Sequence, residues 1–157
     1  MKSKLVISLV VLFLSTVSYA SAHLSLNGVF SDNMVLQRNV RVPVWGTSDS
    51  KARITVSFAG FTHSTNADSN GRWVVYFDPL DATSKSTDLE VSSNNTKKIL
   101  HNVVVGEVWL AGGQSNMGYP LFAAHNATEA LSGANDPLMR LLPIPLKTAV
   151  EPKDTIS

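Results

Sequence analysis

Ser115 is the residue of this chain with most capacity for chemistry, because of what leads into it. Residues Glu107 to Met117 read EVWLAGGQSNM, an apolar run that stops at two glycines and turns out a hydroxyl. A serine attacks only when the backbone presents it and a base takes its proton; strand, glycine turn and helix start form the geometry that presents one. The competing role for Ser115 is to cap a short helix ahead of Pro120. The stretch is not the G-x-S-x-G elbow of the α/β-hydrolases, since Met117 stands where the second glycine belongs.

A serine hydrolase also needs an imidazole base, an oxyanion hole and usually a carboxylate to orient the base. His125 follows Ser115 by ten residues. If that stretch is mostly helical, a rise of about 1.5 Å per residue separates the two by roughly 15 Å, whereas proton transfer needs about 3 Å. His63 and His101 lie in the strand-rich half and His23 stands near the start, so no local base is expected. Gly133 to Asp136 (GAND) reads as a turn. Cysteine is absent, which removes disulfides, thiolate zinc sites and thiol nucleophiles. Asp68 to Gly71 imitates the opening of a calcium loop, but Pro79 occupies the twelfth position, where a bidentate glutamate is needed.

The elements that must position Ser115 divide at about Val103. From Leu26 to Val105, short β-branched and aromatic runs alternate with Gly, Asn, Asp and Ser clusters. Strands are expected near Val40 to Trp45, Ala52 to Phe58, Phe61 to Asn66, Arg72 to Phe77, Thr87 to Ser92 and Lys97 to Val105. Ile54, Val56 and Phe58 alternate with Thr55 and Ser57, the period of a strand with one buried face. Ala59-Gly60 and Asn70-Gly71 read as turns, the second as a strong hairpin signal. Together these predict a β-sandwich over residues 23–103. Trp45, Trp73 and Trp109 read as core or inter-domain packing rather than a sugar-stacking platform.

Beyond it, Val103 to Leu110 is apolar except at Gly106 and Glu107, the texture of a parallel-sheet strand covered on both faces. Residues 104–157 are therefore expected to begin an α/β domain with Ser115 just past the carboxyl end of its first strand, where ligands bind in such sheets. A short helix over Ala123 to Leu131 and a second strand over Leu138 to Ile144 follow, and then Pro143, Pro145 and Pro152 mark an irregular connection.

Composition fits this layout. Of 157 residues 44% are hydrophobic and 16% charged, which suits a globular chain and not a disordered one. Lys2 and Lys4, the apolar run Leu5 to Leu14 and the small-residue site Ala20-Ser21-Ala22 read as a secretory signal peptide over residues 1–22. The apolar run is shorter than the roughly 20 residues that span a bilayer, so no membrane attachment is expected after cleavage. Residues 23–157 carry 11 basic against 12 acidic side chains, a formal charge of −1. That balance recommends neither nucleic acid nor an anionic membrane as partner. Asn94 and Asn126 begin N-x-Thr sequons, glycosylation candidates in a eukaryotic secretory pathway. Export predicts a lysosomal or extracellular location there, periplasmic or extracellular in a bacterium.

Gly113-Gln114-Ser115-Asn116-Met117 after Gly106-Glu107-Val108-Trp109-Leu110-Ala111 resembles the first block of the sialate O-acetylesterases, members of the SGNH hydrolases. Phe30 to Arg38 (FSDNMVLQR) with Val42-Pro43-Val44-Trp45-Gly46, and Asp68 to Trp73 (DSNGRW), are similar to words of the same family's amino-terminal β-domain. The resemblance runs from about Leu26 to about Arg140. It implies hydrolysis of an acetyl ester on a sugar, O-acetylated sialic acid above all, with Ser115 as nucleophile, no cofactor or metal, and Gln114 and Asn116 as flanking residues that steady the turn or reach substrate. The family's histidine and aspartate lie far downstream, and nothing here matches them or the later glycine and asparagine blocks. The resemblance therefore implies an amino-terminal fragment that is inactive alone and expects the remainder of a catalytic domain. The alternative is a non-catalytic, exported carbohydrate-binding or interaction module, or a truncated product without function.

Overall fold

The computed structural model describes residues 23–94, 96–144, 148, 150 and 151; the expected signal segment, Pro145 and Pro152 lie outside them. Among the described residues eight strands come first: β1 (Leu24–Leu26), β2 (Val35–Gln37), β3 (Val42–Ser48), β4 (Arg53–Phe58), β5 (Phe61–Asn66), β6 (Arg72–Phe77), β7 (Thr83–Ser93) and β8 (Thr96–Gly106). One helix, α1 (Ala127–Ser132), and two 3-10 turns, Ser115–Gly118 and Leu121–Ala123, follow.

The strands form two curled sheets, one of three strands in the order β1-β3-β6 and one of five in the order β2-β8-β7-β4-β5. All pairs are antiparallel except β2 with β8. A single core draws on both sheets: Val44, Trp73, Val75 and Phe77 from the smaller, Ile54, Val56, Phe58, Leu89, Val91, Val103 and Val105 from the larger. Burying such a side chain contributes about 1.5–3 kcal/mol, so this cluster dominates the favourable side of folding.

Period-two patterning places the side chains. Ile54, Val56 and Phe58 are buried, while the Thr55 and Ser57 hydroxyls face β5 and meet Ser64 at 3.0 Å and Thr62 at 2.9 Å. The β4–β5 turn is a two-residue loop with both central residues at positive φ, Ala59 at 49° and Gly60 at 86°. That is the turn whose twist matches a hairpin.

Asn70-Gly71 does something else. It carries the chain from β5 in one sheet to β6 in the other, so it is not a hairpin turn as the sequence suggested. Asp68 Oδ1 accepts the N–H groups of Asn70 and Arg72, both at 2.8 Å. Gly71, at φ 78°, passes so close to β3 that an added Cβ would lie 2.2 Å from the Ser48 carbonyl oxygen. The Asp68 carboxylate thus organises a turn. Two strands escaped the sequence reading: β1 and β2 are three residues each, too short for an alternation to show.

Val103, Val104 and Val105 are all buried, as a strand covered on both faces requires. They close β8 within the five-stranded sheet rather than open a new one. After Gly106 no strand occurs among the described residues: of the expected strand Val103 to Leu110 the part to Gly106 belongs to β8 and the rest is irregular, as is Leu138 to Ile144. A strand exists only beside a hydrogen-bonded neighbour, and among the described residues none flanks either segment. α1 overlaps the expected helical stretch but starts four residues later, after Asn126 at φ 60°, and ends one residue beyond it. No described helix is long and apolar enough to cross a membrane.

Candidate active site

The serine's position is decided where the chain leaves the larger sheet. β2 runs parallel to β8 with Gln37 opposite Gly106, and the Arg38 N–H donates to the Gly106 carbonyl at 2.9 Å. Immediately past Gly106, the Gln37 Oε1 accepts the Val108 N–H at 2.7 Å and its Nε2 donates to a Glu107 carboxylate oxygen at 3.0 Å. The other Glu107 oxygen lies 3.5 Å from Arg38 Nε. Three residues of the FSDNMVLQR word, Met34, Gln37 and Arg38, thereby hold the chain beyond the sheet; Met34 does so through its carbonyl, 3.0 Å from Arg140.

Ser115 opens the 3-10 turn Ser115–Gly118, and Gln114 is the capping residue, with extended backbone and no side-chain cap bond. The turn is held by backbone groups: Met117 N–H to Gln114 O at 2.9 Å and Tyr119 N–H to Asn116 O at 3.2 Å. Met117 folds over Gly113, where a Cβ would lie 2.7 Å from Met117 Cγ, so the glycine permits that closure. Ser115 is exposed, and its hydroxyl makes no hydrogen bond among the described residues; the capping role is not the one it plays. Gln114 and Asn116 are exposed beside it, and their side chains likewise bond to nothing described.

No histidine is brought to Ser115. His125 is exposed between the second 3-10 turn and α1. His101 sits on β8, its ring Nδ1 3.0 Å from Asp88 and its backbone N–H donating to Asp32 Oδ1 at 2.7 Å. His63 meets the Phe77 ring edge-on at 5.0 Å, and His23 Nε2 is 3.1 Å from the Thr47 hydroxyl. Each of these three serves the β-sheets. A group of three or more His, Asp or Glu side chains able to hold a metal is absent among the described residues.

The segment that carries Ser115 exposes large apolar side chains. Trp109 and Leu110 are 86% and 96% exposed, and Phe122, Met139 and Leu141 are also largely uncovered. Trp73 is buried and Trp45 packs edge-on against Phe30 at 4.6 Å, in line with core packing; Trp109 lies outside the core of the described residues. A shallow, open trough of about 560 Å³ lies elsewhere, lined by residues including Ser57, Gly60, Thr83, Lys85 and Glu90 and by none of residues 107–144. Asn94 lies in the turn between β7 and β8, next to Asn95, which is outside the described residues; Asn126 is exposed at the start of α1 with its side chain uncommitted to a cap.

Sequence reasoning took Gln37 and Arg38 only as part of a family word and missed their contacts with residues 106–108. It also missed Arg140, whose partners lie 38 and 106 residues away and leave no local signal.

No protein-family model matches the chain. It is 30% identical to human (Homo sapiens) sialate O-acetylesterase over 143 residues, covering 81% of this chain and 27% of that protein. To the sialate O-acetylesterase of Pongo abelii it is 32% identical over 116 residues, covering 65% and 21%. Among solved structures it is similar to a carbohydrate acetylesterase from Xanthomonas citri, with a TM-score of 0.79 and 36% identity over 85% of this chain and 31% of that one. The mostly β fold with its curled sheets is thus similar to the matched part of a carbohydrate acetylesterase. The chain belongs to a sialate O-acetylesterase-like family, and it spans about a quarter of the length of the curated relatives it matches.

Proposed function

We propose that this chain carries the nucleophile of a serine-dependent carbohydrate O-acetylesterase, with Ser115 as that residue and O-acetylated sialic acid as the substrate class. The observation that carries this reading is an exposed Ser115 hydroxyl, uncommitted to any cap, on a backbone-held turn after a glycine pair. In this reading the residues up to Gly106 form a two-sheet sandwich, and those beyond it begin an α/β domain of the SGNH type. Residues 1–22 direct export.

The Ser115 Oγ attacks the acetyl carbonyl while its proton passes to an imidazole supplied from outside the described residues. The Ser115 N–H helps hold the oxyanion, and collapse expels the sugar hydroxyl, which takes up that proton. Water then cleaves the acetyl-enzyme to acetate and free serine. Gln114 and Asn116 flank the reacting group, close enough in sequence to steady the turn or meet substrate.

The test is Ser115→Ala in the protein purified from its source. Hydrolysis of O-acetylated sialic acid is expected to fall by at least roughly 10³-fold, with circular dichroism unchanged. Retained deacetylation by the folded variant removes the proposal.

A further inference from the structure

The Gln37 carboxamide acts on the strand that leads to Ser115 as a backbone peptide would. β2 ends at Gln37 and β8 at Gly106, so the ladder stops there and the Val108 N–H has no strand to donate to. A primary amide offers the same acceptor and donor as a peptide group. The Gln37 Oε1 takes the Val108 N–H at 2.7 Å, its Nε2 gives a hydrogen to Glu107 at 3.0 Å, and Arg38 flanks the same carboxylate. The result is one further rung of the ladder made from side-chain atoms, on the last residues before the serine segment leaves the sheet. Ser115 lies seven residues on, within about 25 Å of Val108 even if fully extended. The heading of that segment is set at this rung.

We infer that Gln37 is a positioning residue for the nucleophile: it acts through Val108 and Glu107 and touches neither substrate nor Ser115. The inference rests on the reading of Ser115 as nucleophile. Its chemistry is specific. Alanine loses both bonds, and glutamate keeps the acceptor for Val108 but loses the donor and sets a like charge against Glu107. Exchanging the pair, Gln37→Glu with Glu107→Gln, restores one acceptor for Val108 and one donor across the gap with the polarity reversed.

The experiment uses the full-length protein from its source in five forms: wild type, Ser115→Ala, Gln37→Ala, Gln37→Glu and the double exchange. Acetyl-ester hydrolysis and amide hydrogen exchange at Val108 are both measured. Expected are a 10- to 100-fold lower kcat with KM within about twofold for each Gln37 single variant, the scale of a small misplacement of a reacting group. Val108 exchange is expected about tenfold faster in the alanine variant, the loss of one hydrogen bond. The double exchange should return both readings to within about threefold of wild type. Unchanged Val108 exchange in Gln37→Ala, or altered exchange with unchanged kcat while Ser115→Ala is dead, overturns the positioning role and leaves the nucleophile standing. Full activity in Ser115→Ala overturns the nucleophile first and the positioning role with it.

Discussion

Arg140 reaches back 38 residues to Asn102, donating to its carbonyl oxygen and, at 3.2 Å, to its side-chain oxygen. The strand makes room for this. Between the pairs Leu89 with Leu100 and Thr87 with Val103, β8 has one residue more than β7, a bulge, and Asn102 sits in it at φ 59°. A bulge takes its extra residue out of the ladder, so the Asn102 carbonyl is free to receive a guanidinium. Asn102 Nδ2 is tied in turn to Asn33 Oδ1 at 2.6 Å, and Arg140 also reaches the Met34 carbonyl at 3.0 Å. Residues 107–144 are thus fastened to the sheet at both ends, by Gln37 near the start and Arg140 near the finish.

Arg140→Ala should loosen the second fastening without unfolding the sheets. Hydrogen bonds from a charged group contribute about 1.5–3 kcal/mol each when well shielded and less when exposed. Limited proteolysis of the variant is expected to cut within residues 107–144 several-fold faster, with the melting of the β-core little changed. Arg140→Lys keeps the charge but not the planar fork and should fall between. Equal digestion of alanine variant and wild type would show that the contact carries no load.

Gly46→Ala should separate β1 from the small sheet. Leu26 pairs with Gly46 there, and a Cβ on Gly46 would lie 1.9 Å from the Ser25 carbonyl oxygen. The clash is with backbone, which cannot rotate away as a side chain does. A loss of about 2–4 kcal/mol is expected, as for overpacking at a tight site, together with faster amide exchange in β1. A denaturation midpoint equal to wild type would contradict the close approach.

Burial rather than charge should govern stability elsewhere. Phe77 is 1% exposed, edge-on to Phe58 at 6.3 Å, and Phe77→Ala is expected to cost about 3–5 kcal/mol. The Lys97–Glu90 pair is close, at 2.6 Å, but its side chains are 50% and 42% exposed. Lys97→Ala should cost under about 1 kcal/mol, and less in high salt. Chemical denaturation of both variants checks the ranking, and a reversal would place the stabilising interactions outside the core.

What could be read from the sequence was whatever local physics decides. β5 and β6 fell on the expected bounds because their β-branched and aromatic residues lie between clear turn residues, and Ala59-Gly60 took the hairpin turn. Asn70-Gly71 misled because the same dipeptide serves an inter-sheet crossing once Asp68 supplies acceptors for the backbone. The sequence placed Ser115 on its turn but could not disclose Gln37 or Arg140, since a hydrogen bond across 71 or 106 residues leaves no periodic trace. Val108 to Leu110 had the composition of a strand; composition does not supply the neighbour that a strand requires.

Trp109 offers a direct reading of whether a neighbour covers this segment. It is 86% exposed, while Trp73 is 4% exposed and Trp45 is half-buried against Phe30. These are all three tryptophans of the chain, so acrylamide quenching of its fluorescence should be dominated by Trp109. Trp109→Phe is expected to remove most of the quenchable emission and leave a shielded component from Trp73. If residues 108–142 are the underside of an esterase domain, the same tryptophan in the full-length source protein will be covered by apolar neighbours, and its quenching constant should drop several-fold. Equal quenching in the 157-residue chain and the full-length protein would mean that nothing packs on Trp109 there, and the proposal that this segment begins a catalytic domain would lose its packing rationale.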